Sequence, residues 1–157
     1  MTRYVVRTMC ALFISGFIGV PTASAQDSAL RTYNANPLII SGQIRLALQR
    51  EQQAQAILAT GSLTTESVPS VRAIVHDGYA MVRFAVGGVR TALGKSRFPD
   101  PTLQIQNDLM ERARADLRRC MTELDRMAVG QANRFDAANE SLRSAIETLL
   151  TVQALLP

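Results

Sequence analysis

The stretch from Val71 to Arg97, VRAIVHDGYAMVRFAVGGVRTALGKSR, constrains this chain more than any other. Val71, Ile74, Val75, Gly78, Met81, Val82, Ala85, Val89, Ala92 and Leu93 recur at three- and four-residue spacing. On a 3.6-residue helix that spacing stacks them on one face. At ~100° per residue, Arg72, His76, Tyr79, Arg83, Arg90 and Arg97 gather on another side. The stretch therefore predicts an amphipathic helix with a core seam and a basic stripe. A helix with one apolar face must bury it against other elements.

Three further segments can supply the cover. Asn36-Pro37 opens the first helix, with Asn36 as N-cap and Pro37 in the first turn. It runs to about Thr60, where Gly61 ends it. Its inner face is Ile39, Ile40, Ile44, Leu46, Ala47, Ala54, Ile57 and Leu58, with Glu51 among them. Ser67 is the expected cap of the second helix, Val68 to about Ser96. Gly87-Gly88 inside that helix points to a close helix–helix approach.

Asp100-Pro101 opens the third helix, which runs to about Met127. Leu103, Leu109, Met110, Ala113, Leu117, Cys120, Leu124 and Met127 form its inner face. Its acids and arginines pair at i,i+3 or i,i+4: Asp108 with Arg112, Glu111 with Arg114, Asp116 with Arg119, Glu123 with Arg126. These pairs read as a solvated outer face. Val129-Gly130 is the weakest break, either a turn or a bend. A fourth helix from about Gln131 to Leu155 carries Phe135, Ala138, Leu142, Ala145, Ile146, Leu149, Val152 and Leu156. No segment alternates with period two. The expected fold is all-α, an up-down-up-down antiparallel four-helix bundle over residues 37–157. Monomer and homodimer are both compatible with it.

Residues 1–36 read differently. Arg3 and Arg7 precede an uncharged apolar run, Met9 to Val20, and Ala23-Ser24-Ala25 offers small residues for cleavage before Gln26. This is the pattern of a secretory signal peptide over residues 1–25. The run is shorter than the roughly 20 residues a span needs, so the mature chain is expected to lack a transmembrane segment. Residues 26–36 form a polar lead-in. The expected destination is the bacterial periplasm, with the extracellular space as the other choice.

Cleavage removes Arg3 and Arg7 and no acid, so the whole-chain net charge of +4 falls by two. Little basic excess then remains for nucleic acid, and none is expected as a partner. Cleavage also removes Cys10, which leaves Cys120 alone and rules out an intramolecular disulfide. Lying on an inner face, Cys120 is expected to be buried.

Catalytic chemistry finds few candidates. His76 is the only histidine, and it points away from the core seam. No G-x-S-x-G occurs for a nucleophilic serine, no Gly-rich phosphate loop, no H-E-x-x-H, no Glu-x-x-His pair for a di-iron site and no C-x-x-C-H for attached haem. The expectation is a protein that is not an enzyme and has no metal or cofactor.

Two constellations remain. The basic stripe (Arg72, His76, Tyr79, Arg83, Arg90, Arg97) suits an acidic protein surface or an anionic envelope component, unless acids such as Glu111 or Asp108 lie alongside and neutralise it. Glu51, Gly78, Cys120, Met121 and Asn139 come out at about one height of the bundle. All but Asn139 are on inner faces. A carboxylate, a missing side chain, a thiol and an amide at one level suit a small internal site. The leading expectation is an exported, non-catalytic binding protein of the cell envelope. The alternative is a periplasmic small-ligand or haem carrier.

Overall fold

The computed structural model describes residues 35–61, 63–98, 100–130 and 134–156. The signal peptide and the lead-in up to residue 34 lie outside the described residues. Four helices follow in order: α1 Pro37–Ala59, α2 Val68–Lys95, α3 Pro101–Ala128 and α4 Phe135–Ala154. No strand occurs among the described residues. Each helix packs on the next, and α1 also packs on α4, which closes a four-helix bundle with no diagonal backbone contact. The helices alternate in direction. One end brings together Pro37, Leu103 and Leu156, and the other brings together Gly61, Val68, Met127 and Phe135.

Helix starts follow local chemistry. Asn36 Oδ1 accepts from the Leu38 N–H at 3.0 Å, with Pro37 in the first turn. Asp100 Oδ1 accepts from the Thr102 N–H at 2.8 Å and the Leu103 N–H at 3.4 Å. Each satisfies donors that a helix leaves open at its start. Ser67 departs from expectation and makes no side-chain cap. Its hydroxyl donates to the Thr64 carbonyl at 2.9 Å and accepts from the Thr64 N–H at 3.0 Å. The Val68 N–H instead reaches the Thr64 carbonyl. Gly61 and Gly130 have φ of +66° and +89°, the left-handed region that glycine enters at least cost. The chain turns back at Gly130, and α3 and α4 pack together.

The core fills the space between the four stripes. Val71, Val75, Val82, Ala85 and Val89 of α2 are buried, with Met110, Leu117 and Leu124 of α3 and Leu142, Leu149 and Val152 of α4. Fully burying such a large apolar side chain contributes roughly 1.5–3 kcal/mol. On α1 the stripe is offset from the expected one: Leu48 is buried and Leu46 is exposed. The outer face of α3 is also narrower than its charge pattern suggests. Asp116 and Glu123 are buried rather than solvated.

Candidate functional site

The α2 stripe lies along the seam with α3. Positions 111, 114, 118 and 125 of α3 recur at helical spacing and meet it from the other side. Arg72 forms a bidentate ion pair with Asp125 near one end. Arg90 pairs with Glu111 at 2.5 Å near the other. Glu111 is shared, since its second oxygen lies 2.8 Å from Arg114. Two of the stripe's arginines are thus neutralised, as acids lying alongside would do.

The middle of the seam is different. Arg118 donates to the Tyr79 hydroxyl at 2.9 Å, and its guanidinium carbon sits 5.8 Å from the ring centroid, within cation–π range. That hydrogen bond, with the charges of Arg118, Arg114 and Arg83, holds the Tyr79 phenol below its ordinary pKa. The phenol thus reports a positive local field. His76 and Arg83 are exposed beside it and have no carboxylate partner among the described residues. Arg97 is exposed beyond the end of α2. The structure therefore brings Tyr79 and Arg83 of α2 together with Arg114 and Arg118 of α3, flanked by ion pairs. The two α3 arginines escape a search of α2 alone. Their signal is the helical spacing of 111, 114, 118 and 125 on a neighbouring helix.

The internal constellation is partly assembled. Glu51 of α1 is 0% exposed and lies over Gly78 of α2. A Cβ at position 78 would stand 1.9 Å from Glu51 Oε1 and 2.8 Å from its carboxyl carbon. The close approach inferred for this helix thus occurs at Gly78, and a side chain makes it. Gly87 is exposed, with open space where a Cβ would stand. Neither Glu51 oxygen has a hydrogen-bond partner among the described residues. Burial pushes its pKa from 4.5 up to about 9, so the group is a neutral acid at pH 7.

Cys120 of α3 is buried and within electrostatic reach of Glu51. Burial pushes its thiol up to about 12, with the charges of Glu51 and Glu123 adding to the effect. A thiol held that high is not a thiolate nucleophile at neutral pH. Met121 is buried on α3 and Asn139 half-buried on α4. The cavities at the two ends, about 340 and 330 Å³, are lined by other residues.

Further buried polar groups escape the sequence patterns. Asp116 Oδ2 accepts from the Ser144 hydroxyl at 2.8 Å across the α3/α4 seam. Glu123 accepts from Arg126 at 2.8 Å and lies 3.7 Å from Arg134. Gln106 Nε2 donates to the Leu155 carbonyl at 2.7 Å and ties α3 to the end of α4. These groups have partners and serve packing.

The chain has no match among protein-family models, curated proteins or solved structures. Its function must be argued from its own residues. Among those described, no group of histidines, cysteines and acids is arranged to hold a metal ion. No described helix is long and apolar enough to cross a membrane.

Proposed function

We propose that this chain is an exported, non-catalytic binding protein of the cell envelope that engages an acidic partner protein through the α2/α3 seam. The observation that carries this reading is the middle of the seam. Arg83, Arg114 and Arg118 surround Tyr79 where the flanking carboxylates do not reach. A phenol ring and planar guanidinium groups suit carboxylate recognition, and a single-sign field speeds encounter with an acidic surface. Export rests on the n-region, apolar run and cleavage pattern of residues 1–25. An intact mass beginning at Gln26 after expression in a Gram-negative host supports it, and a full-length mass overturns it.

The binding test uses polyglutamate as the acidic probe. Fluorescence anisotropy at low ionic strength should show binding that weakens with added salt. The double variant Arg83→Glu, Arg118→Glu should abolish it without lowering the melting temperature, since both side chains are exposed. Unchanged binding by the double variant refutes the reading.

A second reading, a small-ligand carrier, draws on a different observation. Glu51 is a buried acid with unmet hydrogen-bonding capacity, which a bound polar group would satisfy. Native mass spectrometry of the exported protein decides it: a non-covalent adduct lost in Glu51→Met supports a carrier, and a bare mass counts against one.

A further inference from the structure

The two ends of the bundle present different surfaces. At the end formed by the start of α1, the α2–α3 connection and the end of α4, Phe98 is 77% exposed and Leu38 72% exposed. Ile105 and Leu155 are exposed beside them. Pro37, Ile40, Leu103, Gln106, Leu155 and Leu156 line one cavity of about 330 Å³ there, which places the three elements together. At the opposite end Leu63 and Phe135 are half-buried, and Val129 is the large apolar side chain standing clear among the described residues.

Phe98 is held in its exposed position from both sides. The Ser96 hydroxyl donates to the Phe98 carbonyl, and two residues on, Asp100 caps α3. Lys95 and Arg97 flank it and are exposed. The acid nearest this turn, Asp100, has a side-chain oxygen committed to two backbone N–H groups.

We propose that this end docks onto an anionic lipid bilayer, with Phe98 and Leu38 entering the boundary between head groups and acyl chains and Lys95 and Arg97 facing lipid phosphates. Separate apolar side chains projecting from a convex tip, with cations behind them, match what an interface of lipid accepts. A second copy fits worse. A two-fold contact through Phe98 would bring Lys95 and Arg97 of both copies together, and like charges at an interface disfavour it. The inference does not rest on the α2/α3 seam, whose arginines lie on the side of the bundle.

The chain contains no tryptophan, so Phe98→Trp supplies a single reporter at an exposed position. The experiment mixes the mature chain carrying Phe98→Trp with vesicles of phosphatidylcholine alone and of phosphatidylcholine with phosphatidylglycerol. The expected result is a blue shift with the anionic vesicles that added salt reverses. In co-sedimentation of the otherwise unaltered chain, Phe98→Asp should weaken vesicle binding by roughly tenfold or more, the factor for keeping one large apolar side chain out of lipid. Arg83→Glu with Arg118→Glu should leave it in place, so failure here and failure of the seam reading are separable. No shift, no preference for anionic vesicles, or full binding by Phe98→Asp overturns the proposal. So does a dimer in sedimentation velocity that Phe98→Asp disperses, which would assign the tip to a second copy.

Discussion

The two seams that α2 makes are opposites. Against α1 it presents Gly78 to a buried acid that lacks any polar partner. Against α3 it presents arginines and a tyrosine to exposed groups, several of them already paired. The first seam concentrates energetic cost in one carboxyl group, because an unmet polar atom in a dry interior retains its full desolvation penalty. The second spreads many charges through water, where each pair contributes little. Large stability effects should therefore come from α1/α2, and recognition effects from α2/α3.

The widest gap between the seams should appear with pH. Glu51 has a folded pKa of about 9 against 4.5 in the unfolded chain. Between those values the folded state holds a proton that the unfolded state has released. Stability linked to Glu51 is therefore full below about 4.5, falls as pH rises, and is lost on passing about 9. The slope approaches ~1.4 kcal/mol per pH unit, so the loss between pH 5 and 9 is on the order of several kcal/mol. Urea unfolding across that range measures it. A flat profile for the wild type would mean that Glu51 is solvated.

Substitution at the same site comes next. Glu51→Met keeps an unbranched side chain over Gly78 and removes the unmet oxygens. It should stabilise the protein at pH 7 by about 1–3 kcal/mol and flatten the alkaline slope. Gly78→Ala should act in the opposite direction, since its Cβ would meet Glu51 Oε1. The carboxyl group must then shift within a packed interior, at roughly 1–3 kcal/mol. In a double-mutant cycle with Glu51→Ala the penalty should shrink, because the obstructing atoms are gone. An undiminished penalty would place the obstruction elsewhere.

Cys120 extends the contrast to reactivity. A buried thiol with its pKa pushed up to about 12 should react with an aromatic disulfide reagent only as fast as the bundle opens. Glu51→Met should slow that labelling at pH 8, because it stabilises the closed state. Labelling at the rate of a free thiol would put Cys120 at the surface.

The sequence is most informative where a rule is local. Asn36-Pro37 and Asp100-Pro101 mark helix starts because cap chemistry acts within two or three residues. The apolar stripes likewise specify four helices and their inner faces. Helical period alone leaves the width of a seam open. Asp116 and Glu123 look like outer residues of a charged face, yet they lie at contacts with Ser144 and Arg134 that only the assembled bundle creates. Leu46 and Leu48 exchange roles for the same reason, because the angle of α1 in the bundle is set by its neighbours. The basic stripe is legible as a set of residues. Its electrostatic character is not, since Asp125, Glu111 and Arg118 come from another helix.

The smallest expected effect sharpens this last point. Arg72 and Asp125 are each about half exposed in their side chains, at 41% and 52%. A double-mutant cycle of Arg72→Ala with Asp125→Ala should give a coupling of about 0–1 kcal/mol that falls with salt. For Arg83→Ala with Asp125→Ala, coupling should be near zero, because Arg83 lacks that partner. Polyglutamate binding should rank the two arginines the other way. Arg83→Ala should weaken it more than Arg72→Ala, because Arg72 already spends its charge on Asp125. If Arg72 proved the more important for binding, its ion pair would open when the partner arrives, and the recognition surface would include the end of the seam rather than its middle alone.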